Sequence, residues 1–259
     1  HLCLNPSGAG GASRDVGGVQ TLGLSFLDLV SLAREVLIVL FSFTSNRNEN
    51  RKLTKTKVVF VGENPSFLKQ ETVNKLLIEN NADASAIRKD KLDLNKLEKA
   101  VSSDPMVEKS EVFVTIDGVL KAVVKQKTPI VRVFDGKRSF YIDYKGNTMP
   151  LSANFAARVP LVLGVINKKN SEALAELFRK IYDDAFLKKN IIAIQIMPSG
   201  SLKMLNRNFD YQIDFGGTKN VDAKFRNYKA FFQKAVVDSS LYKYKKIDLR
   251  FTEQVVCTK

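Results

Sequence analysis

Residues 107–133, VEKSEVFVTIDGVLKAVVKQKTPIVRV, restrict the possible folds more than any other stretch. Val112, Val114 and Ile116 alternate with Phe113 and Thr115, and residues 119–127 run back along that arm. Between them Asp117-Gly118 forms the favoured two-residue hairpin turn, with both central residues expected at positive φ. Pro129 has no N–H to give a ladder, so it marks an edge or a strand start where the chain leaves one small unit and enters another. The pattern before this hinge is α/β, and the pattern after it is mostly β.

A chain of 259 residues has room for two domains of about 70 to 130 residues, each able to bury a core. Net charge is +14, yet the first 50 residues hold three basic and four acidic side chains, so the basic excess lies wholly beyond them. Such a bias suits nucleic acid, an anionic membrane surface or an acidic partner, and lysines scattered singly also suit a plain solvated face. Cys3 and Cys257 sit at opposite ends, which rules out a disulfide framework. The only histidine is His1, which removes the usual general base, the usual triads and most zinc sites. The sequence has no phosphate-cradling glycine loop and no CxxC, so no cofactor, metal or catalytic residue is expected. Asp183-Asp184 are helical neighbours about 100° apart, solvated surface rather than a dyad.

Residues 1–23 are rich in Gly, Ser and Ala without a period and read as disordered. No methionine precedes Met106, so the N-terminus reads as a fragment, a processed end or an upstream stretch translated in error. Residues 24–43 have about the length of a bilayer span, but Asp28, Arg34 and Glu35 interrupt them. At about 2.5 to 3.5 kcal/mol for each central charge, these roughly cancel the gain from Leu, Ile, Phe and Val. We expect a transmembrane helix over 24–45, with a helix lying on a membrane surface as the alternative. Arg47, Arg51, Lys52, Lys55 and Lys57 follow the apolar run, and the positive-inside rule applied to them would place the rest of the chain in the cytoplasm.

KVVFVG at 57–62 is a short strand, and helices are predicted over 67–80, with Val73, Leu76 and Leu77 on one face, and over 92–101, capped by Asp93. With the hairpin this makes a β-α-α-β-β unit, a three-stranded sheet covered by two helices. Strands at IVRVF, RSFYIDY, IIAIQIM, SLKMLN and FDYQIDFG then alternate with turns at Asp135-Gly136, Lys145-Gly146-Asn147 and Pro198-Ser199-Gly200. Helices are predicted over 171–188 and 221–236. In the second, Phe225, Tyr228 and Phe232 point inward, as core rather than as a base-stacking platform. At 244–256, YKKIDLRFTEQVV, Ile247, Leu249 and Phe251 alternate with Asp248, Arg250 and Thr252. This predicts a half-buried terminal strand near a sheet edge, open to another chain.

FSFTSNRN, VVFVG, LNKLEKAVSSDPMVEKSEVFV, RVPLVLG, YQIDFGG and YKKIDLRFTEQVV occur in an order and spacing that resemble the bacterial cell-division family FtsQ, called DivIB in Gram-positive organisms, and especially its Bacteroidetes short forms. The resemblance covers about residues 36–259. It implies an α+β chain: a membrane helix, a POTRA-like domain at 55–128, and an FtsQ-type β domain at 129–259 with two helices. The implied role is a non-enzymatic divisome scaffold for septum formation, single-pass in the inner membrane, its bulk periplasmic, with FtsB and FtsL as partners. The terminal strand would receive a strand from FtsB. Arg250 and Phe251 match family positions at that surface, and Glu253, Gln254 and Val255 extend it along the strand. Some members carry a basic partner-contacting residue where this chain has Gly217, so that contact is not implied. Two rival readings are a POTRA-type assembly or secretion component, for which no barrel of long strands follows, and a basic nucleic-acid binder.

Overall fold

The computed structural model describes residues 26–49, 53, 55–62, 67–79 and 92–259, so the stretch 1–23 read as disordered lies outside the described residues. The chain divides into two units, His1–Asn50 and Arg51–Lys259.

In the first unit α1 (Phe26–Glu49) is one continuous helix. Its apolar run at 36–43 is exposed, from Val36 at 48% to Phe41 at 76%. Eight such residues rise only about 12 Å, well short of a hydrocarbon core of about 30 Å. Among the described residues no helix is long and apolar enough to cross a membrane. The expected transmembrane helix over 24–45 is corrected accordingly: the helix forms, but Asp28, Arg34 and Glu35 break its apolar length.

Among the described residues the second unit holds two sheets. The smaller has the order β1-β3-β2, from β1 (Lys55–Val61), β2 (Val107–Val114) and β3 (Val119–Gln126). β1 runs parallel to β3, and β2 antiparallel to it. The hairpin forms as expected, but its turn differs. The Gly118 N–H reaches the Thr115 carbonyl at 3.0 Å, and only Gly118, at φ +78°, enters the left-handed region. This is a type I turn closed by a glycine bulge; it leaves Asp117 at ordinary φ and places Ile116 on the turn, 82% exposed. α2 (Gln70–Glu79) and α3 (Leu94–Ser102) cover the sheet through Val73, Leu77, Leu97 and Val101. As the sequence predicts, the Asp93 side chain caps α3 by accepting the Lys96 N–H at 3.0 Å.

The larger sheet has nine strands in the order β12-β11-β10-β9-β8-β7-β4-β5-β6. β4 (Pro129–Phe134), β5 (Ser139–Asp143) and β6 (Thr148–Met149) form one end. β7 (Leu161–Leu163), β8 (Ile191–Ile196), β9 (Leu202–Asn206) and β10 (Gln212–Gly216) lead to β11 (Lys246–Asp248) and β12 (Val256–Thr258). The helix expected over 171–188 is two helices, α4 (Ser171–Asp183) and α5 (Ala185–Asn190). Asp184 divides them, because its backbone is extended and its carboxylate caps the second helix at the Leu187 N–H, 3.0 Å away. α6 (Val221–Val237) buries Phe225 and Tyr228 as expected.

The two sheets share residues across the hinge. Tyr141 of β5 and Met149 of β6 are paired in register and turn away from the large core into the small one, beside Leu120 and Val124. Their neighbour Ile142 faces the large core, as period-2 alternation requires. Phe67 packs edge-on against Phe155 at 5.0 Å between centroids, and its carbonyl accepts the Ser152 hydroxyl at 2.9 Å.

Candidate partner-docking edge

The strand expected over 244–256 is not one strand. β11 lies inside the sheet, parallel to β10 and antiparallel to β12, so β12 is the outermost strand. The break begins at Asp248. Its carboxylate accepts the Arg250 N–H at 3.0 Å in an Asx-type turn, while the Leu249 N–H still reaches the Asp214 carbonyl of β10 at 2.9 Å. Past that point the backbone leaves the ladder, crosses the sheet end as loop 249–255, and returns as β12 with Cys257 opposite Ile247.

All five predicted partner residues therefore lie in the loop rather than on a strand. Arg250, Phe251, Glu253 and Gln254 are exposed. Val255 is half-buried and packs on the large core. Ile247 and Leu249 are buried, as the alternation predicted, but Phe251 has left the pleat and is 49% exposed.

Charged side chains brace this end of the sheet. Lys246 pairs with Asp214 at 2.6 Å, and the Gln212 amide donates to the same carboxylate at 2.6 Å. Burial pushes the Asp214 pKa up, but these two bonds together with the charges of Lys246 and Lys203 outweigh it and the net shift is downward. Arg250 donates through its guanidinium to both Asp248 oxygens and so holds that carboxyl below the usual range. Lys224 of α6 is 5% exposed; its ammonium donates to the Phe215 carbonyl at 2.9 Å and the Gly217 carbonyl at 2.8 Å, 4.7 Å from the centre of the Phe215 ring. Burial lowers its pKa, against the pull of Asp248. The Asn227 amide donates to the Thr252 carbonyl at 2.7 Å, tying the loop to α6.

Sequence reading missed Lys224, Asn227 and Asp214. Lys224 had a signal, since it adjoins Phe225 and lies one turn before Tyr228 on the inward stripe, where a lysine needs a buried acceptor. Asn227 had none.

Elsewhere a cleft of about 600 Å³ lies between α4, α5 and α6. Within it Lys180 pairs with Asp222 at 2.7 Å and Lys229 with Asp184. Asp183, read as plain surface, accepts the Tyr144 hydroxyl at 3.0 Å. Among the described residues no group of His, Cys, Asp and Glu is arranged to hold a metal.

These elements define a two-sheet α/β protein whose larger sheet ends on an open strand, a surface suited to receiving another chain. Residues 128–258, just over half of the chain, match the family described as FtsQ/DivIB, C-terminal related, and the chain belongs to that family. It is 26% identical over 155 residues to the cell division protein FtsQ of Salinibacter ruber, covering 54% of this chain and 60% of that one. The major extracytoplasmic domain of DivIB from Geobacillus stearothermophilus is similar at 17% identity over 44% of this chain and 96% of its own, with a TM-score of 0.32. Both named relatives are cell-division proteins.

Proposed function

We propose that the chain is a divisome scaffold that links FtsB- and FtsL-type proteins during septum formation, with strand addition at β12 as the docking mode. Family membership supports the division role. The observation that carries the docking mode is the position of β12, outermost in the nine-stranded sheet and paired on one side only. An added strand would satisfy the N–H and C=O groups on its open side, and the half-exposed Phe251 of loop 249–255 would serve as an apolar anchor. On this reading the folded part lies outside the cytoplasm at the inner membrane, and residues 55–128, their core completed by Tyr141 and Met149, are a POTRA-like unit joined to an FtsQ-type β domain at 129–259.

The test is binding of a periplasmic FtsB-type segment to the full chain. Successive residues of a strand send their N–H groups to opposite neighbours, so Cys257→Pro and Thr258→Pro together probe both sides of β12. One should weaken binding at least about tenfold with circular dichroism unchanged, while Thr258→Ala does little. If both proline variants fold and bind like the parent, β12 is not the docking edge. A periplasm-dependent reporter fused after Lys259 tests the topology, and activity in the cytoplasm would refute it.

A further inference from the structure

We infer that Arg250 is a positioning residue that acts through Asp248, and that together with Asn227 it holds loop 249–255 in the form that presents Phe251 and β12. The inference rests on the docking reading above and assigns different work to a residue that sits at its surface.

An exposed arginine beside a docking edge invites the reading that its charge meets a partner carboxylate. Here two of its three guanidinium nitrogens are already engaged. Nε lies 2.9 Å and 3.0 Å from the two Asp248 oxygens, and Nη2 lies 2.5 Å from Oδ2. The same carboxylate accepts the Arg250 backbone N–H. Asp248 is only 6% exposed, so its charge depends on that fork, and removing the fork leaves a buried carboxylate short of donors. The arginine stem is fitted as closely as its head. A methyl group on Gly216 would stand 2.9 Å from Arg250 Cγ, so the stem crosses β10 where the chain has no side chain. On its other side the loop is tied to α6 by the bond from Asn227 to Thr252. Loop 249–255 is thus fastened once at each end of its turn, and Phe251 lies between the two fastenings.

A positioning role and a contact role predict different variant patterns in the FtsB-segment binding assay on the full chain. If Arg250 works through Asp248, Arg250→Ala and Asp248→Asn each weaken binding about tenfold, and the double variant is no weaker than either single one. The salt dependence of binding keeps the parent's slope, because no intermolecular ion pair is lost. Arg250→Lys fails to rescue, since an ammonium keeps the charge but loses the fork. Asn227→Ala weakens binding in the same direction. In the free chain, amide exchange at Leu249 and Arg250 is faster in Arg250→Ala and Asp248→Asn.

A direct contact predicts instead that Asp248→Asn binds as well as the parent or better, that Arg250→Ala flattens the salt slope, and that Arg250→Lys largely restores affinity. Any of these overturns the inference. If Asp248→Asn does not fold, Arg250→Lys against Arg250→Ala decides the matter. Failure of the parent to bind the segment would sink the docking reading alone. Amide exchange then judges the clasp, with unchanged rates refuting it.

Discussion

Removing one oxygen from Tyr228 should cost more than removing one from Tyr211, although both hydroxyls belong to the same buried network. Tyr228 is fully buried on α6; its hydroxyl accepts from the Asn206 amide at 2.9 Å and shares a hydrogen bond with the Tyr211 hydroxyl at 2.9 Å. Tyr211 and Asn206 are 1% and 5% exposed, so water does not replace a lost partner. Burial, with the neighbouring tyrosine, raises the pKa of Tyr211 far beyond its usual value, as expected of a hydroxyl enclosed in a core. In Tyr228→Phe both neighbours lose a partner. An orphaned buried group costs about 1 to 3 kcal/mol, and some of that returns because the phenylalanine carries no hydroxyl to desolvate, so the net loss is about 2 to 4 kcal/mol. In Tyr211→Phe the central hydroxyl keeps Asn206, and the loss is about 1 kcal/mol. The double variant orphans only Asn206, so it should cost less than the sum of the singles, with a coupling of about 1 kcal/mol. Urea unfolding followed by circular dichroism gives all four corners of the cycle. In heat, Tyr228→Phe should melt roughly 4 to 16 °C below the parent. Equal costs for the two single variants, or strict additivity, would show that the central hydroxyl does not join the other two groups.

Other expected outcomes follow from particular contacts. Residues 55–128 alone lack Tyr141 and Met149, which complete the small core, so that fragment should melt well below one spanning 51–159; equal cooperative melts would show that the hinge residues add nothing. Gly164 holds φ +122°, and a methyl group there would stand 2.8 Å from the Ile196 carbonyl oxygen, so Gly164→Ala should cost about 2 kcal/mol or more in urea unfolding. Asp248, Asp214 and Glu108 have folded pKa values below their ordinary range, Asp248 chiefly through Arg250 and the others because lysine partners outweigh burial. Their contribution is complete above the ordinary carboxylate range of about 4 and is lost as pH falls through the lowered values. The unfolding midpoint should therefore hold down to about pH 5 and decline below about pH 4, less steeply in Asp248→Asn; an unchanged slope in that variant would refute the assignment.

The sequence by itself determined what depends on a few neighbouring residues. Gly118 closed the hairpin, Asp93 capped α3, the 3.6-residue spacing of Phe225, Tyr228 and Phe232 turned that stripe of α6 inward, and the order of short motifs pointed to the family. Each is written within one or two turns of chain, where backbone sterics and side-chain periodicity act. Strand order was not legible, because each strand pairs with partners that sequence distance does not reveal; β7 reaches β4 and β8, and β10 lies parallel to β11. Nor was it legible that Tyr141 would cross into the small core, since alternation says that it leaves one face without saying what waits on the other. The docking edge shows the limit most clearly. Alternation from Ile247 to Phe251 reads as one strand, and it is broken because Asp248 turns back to Arg250 while Asp214, 34 residues earlier, holds the last ladder bond. Tertiary structure alone decided that β12, not β11, is the outermost strand, because only folding brings the Gly216 backbone and the side chains of Asp248 and Arg250 together.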